Sequence, residues 1–178
     1  MNWDTFWQIV GAAYRRDAAE HFEALKAELE PLKWFEVVAF QARFNEAVDA
    51  ANTPALGGAA TLVNGTALPE AFRDFRVWLV ARGRDAYEAA LANPDSLADV
   101  LDGDPVDGFG LEKASLRVYE ARTGTSDFYI RLGREPKTIG SSTEIAHFNV
   151  ADETELRTRY PRLSELYPTP PDTNEETP

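Results

Sequence analysis

The stretch that decides the fold is Pro69–Leu97, PEAFRDFRVWLVARGRDAYEAALANPDSL. It has the densest pattern of aromatic and aliphatic residues in the chain. Phe72, Phe75 and Leu79 recur at intervals of three and four residues, which is the spacing of one face of an α-helix. Trp78 widens this face. The pattern predicts a helix with one buried face, around which the rest of the chain packs.

The same stretch contains a helix boundary at Gly83. Glycine after Arg82 is typical of a helix that ends in the left-handed conformation. Helical spacing resumes at Arg84 and stops at Pro94. We therefore predict two helices bent at Gly83, and one long helix that tolerates the glycine is the alternative.

Helical spacing continues on both sides of this stretch. It predicts further helices over residues 3–16, 17–30, 33–51, 111–122 and 152–160. Ala55–Val63 is different, because this short segment of small residues contains the pair Gly57-Gly58. Glycine disfavours a helix interior, so we expect Ala55–Val63 to make a poor helix on its own.

The spacing of apolar residues changes near the C-terminus. Phe128, Ile130 and Leu132 alternate with polar or amphipathic residues, which predicts a short strand, and residues 145–150 are its candidate partner. The fold class expected from the whole pattern is mainly α. It is a single-domain bundle of about six helices with a small β element near residues 127–150.

Length and composition set the domain organisation. A chain of 178 residues buries enough surface to fold as one domain, which we place at residues 1–168. The last ten residues, 169–178, have almost nothing to bury, so we expect a disordered tail. The many alanines, and a preference for arginine over lysine, suggest a bacterial coding sequence rich in G and C.

Charge and cysteine content exclude several classes of function. The chain has no cysteine, so it has no disulfide framework and no zinc–cysteine site. Its net charge is −12, with 30 acidic and 18 basic residues, which disfavours nucleic acids and anionic membranes as partners. Neither a signal peptide nor an apolar run of about 18 residues is evident, so we expect a cytoplasmic protein.

No familiar catalytic or cofactor motif is present. Phosphate-binding glycine loops and nucleophile elbows are both missing, so we expect no cofactor and leave the catalytic residues unknown. The acidic loop that begins at Asp102 has lysine at position 113, where a calcium loop requires glutamate. His21 and Asp17 supply two metal ligands without a third. We therefore predict no metal site and a solvated His21 on a helix surface.

Arginines on the central stretch are the best candidates for ligand binding. Arg73, Arg76 and Arg84 lie near Trp78 in a chain that is short of positive charge. They either pair with local acids and cover the core with their stems, or form a binding site for an anion or carboxylate.

Proton transfer in an enzyme of this kind requires further groups. The candidates from the sequence are Glu112, Tyr119 and His147. The enzyme hypothesis requires a concave site in which these three side chains lie close to the arginines.

Four short motifs resemble those of one family. They are W-D-x-F-W at Trp3–Trp7, F-R-x-W-L-x-x-x-G-R at Phe75–Arg84, P-D-S-L at Pro94–Leu97 and R-Y-P-R-L at Arg159–Leu163. Together they resemble the DUF4240 family of uncharacterised bacterial domains, best over residues 1–125. The resemblance implies a shared fold, and it implies no established chemistry.

Two functions follow as hypotheses. The first is a non-enzymatic binding or regulatory module, whose tryptophan-rich helices and acidic surface suit a protein partner with a basic surface. The alternative is an enzyme or binding protein for a small anionic ligand held by arginines of the central helix. The sequence leaves the oligomeric state open.

Overall fold

A computed structural model describes residues 1–65, 68–102, 106, 108, 110–133 and 153–168. Over these residues the fold is mainly α, as predicted. The helices are α1 (Trp3–Ala13), α2 (Ala18–Leu29), α3 (Trp34–Ala50), α4 (Pro54–Asn64), α5 (Pro69–Ala81), α6 (Arg84–Ala92), α7 (Ala114–Thr123), α8 (Phe128–Leu132), α9 (Glu153–Arg159) and α10 (Pro161–Leu166). Short 3-10 helices cover Pro94–Asp99 and Leu111–Lys113. In the described ranges, no helix has the length and apolar character needed to cross a membrane.

Polar side chains define where the first helices begin. The carbonyl oxygen of the Asn2 side chain accepts a hydrogen bond from the Thr5 amide at 2.8 Å. The Asp17 carboxylate accepts hydrogen bonds from the amides of Ala19 and Glu20, each at 2.9 Å. These N–H groups have no partner inside the helix, so each cap stabilises the start of α1 or α2.

The central stretch forms two helices that meet at Gly83. α5 ends at Ala81 and α6 begins at Arg84, which confirms the predicted bend. Gly83 has a φ angle of 94° and a ψ angle of 174°, so the expected left-handed helical conformation is wrong. The positive φ is nevertheless one that side chains with a Cβ rarely adopt. The glycine therefore allows the chain to change direction between the two helices.

The buried face of α5 lies at the centre of the core. Phe75 and Leu79 are both fully buried. α5 contacts α1, α3, α4 and α6, while α2 and α3 pack against α7. Beside this centre, the ring of Phe6 on α1 lies 5.2 Å from that of Phe40 on α3.

The first two motifs of the sequence contact each other. Asp4 of the first motif forms an ion pair with Arg84 of the central motif at 3.2 Å. The rings of Trp7 and Tyr87 are 5.1 Å apart, and the Tyr87 hydroxyl donates a hydrogen bond to the carbonyl of Ala47 at 2.8 Å. These contacts join α1, α3 and α6.

The last two motifs also contact each other. Asp95 is only 6% exposed, and its carboxylate accepts hydrogen bonds from the amides of Arg162 at 3.3 Å and Leu163 at 3.0 Å. Both amides lie in the first turn of α10, so a residue distant in sequence caps this helix. Arg162 also pairs with Asp99.

The segment that was expected to make a poor helix is α4. Thr53 accepts a hydrogen bond from the Leu56 amide at 3.2 Å, Pro54 occupies the first turn, and Gly65 ends the helix with a φ angle of 68°. α4 contacts α5, α9 and α10, and Gly57-Gly58 is buried. Caps and tertiary burial outweigh the low helix propensity of the two glycines.

The predicted strand at Phe128–Leu132 is wrong, because these residues form α8. Phe128 packs against Tyr119, with 5.2 Å between ring centroids, while Ile130 is 81% exposed. The alternation in the sequence arose because Ile130, an apolar residue, is exposed between the buried Phe128 and the partly buried Leu132, which lie one helical turn apart. The proposed partner strand, residues 145–150, and the predicted tail, 169–178, lie outside the described residues.

Gly108 is where a loop meets the backbone of α5. A Cβ atom at this position would lie 2.4 Å from the Asp74 carbonyl oxygen and 2.5 Å from the Trp78 amide nitrogen. We expect Gly108→Ala to lower the free energy of unfolding by roughly 1–3 kcal/mol, because backbone atoms cannot move aside cheaply. Chemical denaturation measures this change.

Gly11→Ala is the matched control, since a Cβ there meets nothing within 4 Å. Gly11 is inside α1, so alanine should leave stability unchanged or raise it by up to about 1 kcal/mol. Equal effects of the two substitutions would contradict the close approach of Gly108 to α5.

Asp95→Ala should lower the free energy of unfolding by roughly 1–3 kcal/mol, because two amides of α10 lose their partner in a buried site. Asp99→Ala removes only an exposed ion pair in the same 3-10 helix, so it should have a smaller effect. Urea denaturation of both variants tests the cap. A loss for Asp95→Ala no greater than that for Asp99→Ala would refute it.

Candidate functional site

Two of the predicted site residues form an ion pair. Both terminal nitrogens of the Arg73 guanidinium donate to the Glu112 carboxylate, one of them at 2.9 Å. The hydrogen bonds to Glu112 raise the pKa of Arg73. Arg73 lies on α5 and Glu112 on the 3-10 helix before α7, so the pair connects distant parts of the chain.

Arg76 occupies a half-buried position next to this pair. Its guanidinium lies 4.8 Å from the centre of the Phe72 ring and donates a hydrogen bond to the Val48 carbonyl at 3.0 Å. Burial lowers the pKa of Arg76, while the charge of Asp49 opposes that effect. The contact with Val48 joins α5 to the last turns of α3.

Arg84 and Tyr119 have other partners. Arg84 is exposed and pairs with Glu88 at 2.7 Å, besides its contact with Asp4. The hydroxyl of Tyr119, a buried residue, donates a hydrogen bond to the Asp127 carboxylate at 2.7 Å. Hydrogen bonds from Thr125, Tyr119 and Arg131 hold the pKa of Asp127 well below its usual range.

The structure therefore places the predicted site residues in separate surroundings. It joins Arg73 to Glu112, and it gives Arg84 and Tyr119 partners of their own. His147 lies outside the described residues. The use of these side chains for ligand binding stays a prediction.

Trp78 belongs to a pocket that the sequence did not indicate. We call it the arginine pocket, and it is a small concavity of about 50 Å³. Its lining residues come from the α1–α2 connection, α2, α5 and the second 3-10 helix. They are Tyr14, Arg15, Arg16, Ala18, His21, Trp78, Ala81, Arg82 and Leu111.

Arg82 lies between two aromatic rings of this pocket. Its guanidinium carbon is 4.6 Å from the centre of the Tyr14 ring and 5.5 Å from that of the Trp78 ring. One terminal nitrogen donates to the Tyr14 hydroxyl, and the other donates to the Val100 carbonyl at 3.0 Å. Since a guanidinium has five N–H donors, others remain for a ligand.

Arg15 and Arg16 supply two more positive charges at the mouth. Arg15 donates hydrogen bonds to the carbonyls of Ala12 at 3.0 Å and Tyr14 at 2.7 Å, which places it at the C-terminal end of α1. Arg16 is exposed and pairs with Asp102. Both side chains therefore reach solvent as well as the pocket.

His21 is buried, so the prediction of a solvated histidine is wrong. Its exposure is only 6%, and its ring lies edge-on to that of Tyr14 with 5.5 Å between centroids. The ring nitrogens form no hydrogen bond to any described residue and keep some contact with solvent. Burial, followed by the charges of Arg15 and Arg82, lowers the pKa of His21. His21 is therefore a neutral imidazole at neutral pH.

The chemistry of this pocket favours anions. None of the described residues that line it is acidic, although the chain as a whole carries a charge of −12. Two carboxylates lie next to lining residues. They are Asp17, which caps α2, and Asp102, which pairs with Arg16. Over the part of the chain that can be described, no cluster of three metal-ligating side chains occurs.

The sequence contained weak signals for this pocket. Arg15-Arg16 is the only adjacent pair of basic residues in the chain, and it directly precedes a helix cap. Arg82 follows Trp78 by four residues, so both lie on one edge of α5. Neither pattern shows that α1, α2 and α5 meet there.

Comparison with known proteins gives a family and no activity. The family described as "Protein of unknown function (DUF4240)" matches residues 1–122, which confirms the resemblance seen in the motifs. No curated protein and no solved structure matches the chain. The matched region contains every residue that lines the arginine pocket.

The environment of His21 predicts how it titrates. We expect its pKa to lie below the ordinary value of 6.5, because burial and two arginines disfavour the imidazolium. As the pH falls below 6.5, the unfolded chain takes up a proton that the folded chain does not, so the free energy of unfolding decreases. NMR titration of the imidazole resonances measures the pKa directly.

The chain has only two histidines, so His147→Gln leaves a single imidazole to assign. This variant should retain the low pKa of His21. A pKa for His21 at or above 6.5 would contradict its buried position beside Arg15 and Arg82.

Proposed function

We propose that this chain, which belongs to the DUF4240 family, binds a small anionic ligand in the arginine pocket. The observation that carries the proposal is the convergence of Arg15, Arg16, Arg82 and His21 on one concavity whose described lining residues include no acid. In so acidic a protein, a local excess of positive charge offers an anion its most favourable site.

Arg82 is the main ligand-binding residue in this proposal. The rings of Tyr14 and Trp78 and the bond to the Val100 carbonyl hold its guanidinium in one orientation. A guanidinium that is already oriented loses little rotamer entropy when it binds an anion. Trp78 was a candidate ligand-binding residue from the sequence, and in this proposal it acts through Arg82.

The lining residues favour binding without catalysis. Those that the structure describes provide guanidinium groups, one imidazole and aromatic rings, and no serine, threonine or carboxylate is among them. An anion held there meets hydrogen-bond donors but no nucleophile activated by a base. The proposal therefore agrees with the first hypothesis from the sequence in that no catalysis is involved. It agrees with the alternative hypothesis in that the ligand is a small anion.

Arg15→Gln should weaken binding of an anion at least about fivefold, because an exposed positive charge is lost from the mouth. Arg82→Gln should abolish detectable binding. The measurement is isothermal titration calorimetry with a panel of sulfate, phosphate, acetate and citrate, and circular dichroism checks that each variant is folded.

Arg117→Gln is the matched control, since this exposed arginine of α7 is outside the pocket and the substitution changes the net charge equally. It should retain at least about half of the wild-type affinity. The proposal fails where no anion of the panel binds, or where Arg15→Gln and Arg117→Gln weaken binding alike.

An exposed aromatic pair favours protein binding as a second candidate function. Trp34 and Phe35 begin α3 with exposures of 41% and 50%. Arg131 lies 5.3 Å from the Trp34 ring, and the Lys33 ammonium lies 5.8 Å from that of Phe35. Exposed aromatic residues beside cations are typical of binding hot spots. Arg131 is already paired with Asp127, so it is Lys33 that favours an acidic partner at this surface. A partner with a basic surface, as the sequence suggested, would bind elsewhere.

Phe35→Ser tests this candidate against Leu91→Ser, which removes a large exposed apolar residue from α6. A purified protein that binds the wild type and the Leu91 variant, but binds Phe35→Ser at least about tenfold more weakly, would support it. Equal binding to both variants would exclude this surface.

A further inference from the structure

Resting on the proposed function, we infer that the ligand of the arginine pocket is a tetrahedral dianion of the sulfate or phosphate type. We further infer that His21 donates a hydrogen bond to it as an imidazolium. Two observations support this inference: the donors that line the pocket come from three different parts of the chain, and a nearly buried histidine there has no hydrogen-bond partner among the described residues.

The origin of the donors on three different elements favours a tetrahedral ligand. Arg82 reaches the pocket from α5, His21 from α2, and Arg15 from the end of α1. A planar carboxylate is satisfied by the two parallel N–H groups of one guanidinium. A tetrahedral dianion has oxygens that point in several directions, so it can bind donors from three helices at once.

α2 adds to this preference through its dipole. It has 12 residues, and Ala18 in its first turn lines the pocket. The positive end of the helix therefore lies at the ligand. The Asp17 carboxylate already accepts from the amides of Ala19 and Glu20, so the arginines and His21 supply the direct contacts.

His21 changes its protonation state in this scheme. The charged groups that act on it are Arg15 from the α1–α2 connection and Arg82 at the end of α5. Arg16 also lines the pocket, and Asp17 caps the start of the helix that carries His21. The second 3-10 helix contributes the apolar Leu111. In the free protein burial first, and then the charges of Arg15 and Arg82, hold the imidazole neutral. A dianion offsets those charges, and binding is then linked to uptake of one proton.

The sign of the pH dependence follows from this linkage. The pKa of His21 lies below its ordinary value in the free protein, and a bound dianion raises it. Affinity should therefore increase as the pH falls through the pKa of the complex, and level off below the pKa of the free protein.

Sulfate is the probe, because its own charge is constant over this range. Binding should tighten by up to about tenfold between pH 8 and pH 5.5, which is the limit for a rise of one pKa unit on binding. Calorimetry in two buffers of different ionisation enthalpy should show uptake of protons between these limits. Acetate should bind at least about tenfold more weakly than sulfate at pH 5.5.

His21→Gln should bind sulfate with the wild-type affinity of pH 8 at every pH, since glutamine cannot acquire the charge. His147→Gln is the control and should keep the pH dependence. Should His21→Gln fail to fold, proton uptake by the wild type decides the question without it.

The sources of such a ligand are separated by comparing inorganic phosphate with phenyl phosphate. Tighter binding of inorganic phosphate assigns a free anion, and tighter binding of phenyl phosphate assigns an organic ester. Binding of sulfate without pH dependence or proton uptake overturns the inference and leaves the proposed function intact. Preferential binding of acetate does the same. Absence of binding by every anion overturns both.

Discussion

Burial of Phe75 and Leu79 orients α5, and the position of each polar side chain on that helix follows from it. With 3.6 residues per turn, Arg73 and Arg76 lie on one edge of the buried face, and Trp78 lies on the other. Arg82 is one turn beyond Trp78. The helix therefore divides its arginines between two surroundings that do not share partners.

The two edges of α5 have different chemistry. On the first edge, Arg73 is neutralised by Glu112, and Arg76 is held by the Val48 carbonyl. On the second edge, Arg82 has aromatic rings and neutral oxygens as partners, so its charge is not cancelled by a carboxylate contact. An uncancelled charge beside a concave surface is what an anionic ligand requires, which is why the second edge is the stronger candidate site.

Residues that resemble the family motifs mainly join helices to one another. Asp4 contacts Arg84, and the Asp95 carboxylate caps the helix that carries Arg162. These contacts give the motif residues a role in folding. Each contact pairs a charge, or provides a hydrogen-bond acceptor for an amide that has no partner inside its helix. Arg82 occupies an unspecified position of the central motif. Its proposed role in the pocket is therefore inferred from its contacts and not from the motif.

The sequence by itself determined most of the helices, because apolar spacing and helix-capping residues are local properties. For the same reason it determined that the central stretch divides into two helices at Gly83. It also determined the acidic charge and the family. Only the tertiary structure decided that α4 is helical and that Phe128–Leu132 is not a strand, because burial against other helices outweighed local propensity. It also decided that His21 is buried beside Arg82. These residues are far apart in sequence, and no local pattern encodes the packing of α1, α2 and α5 that brings them together.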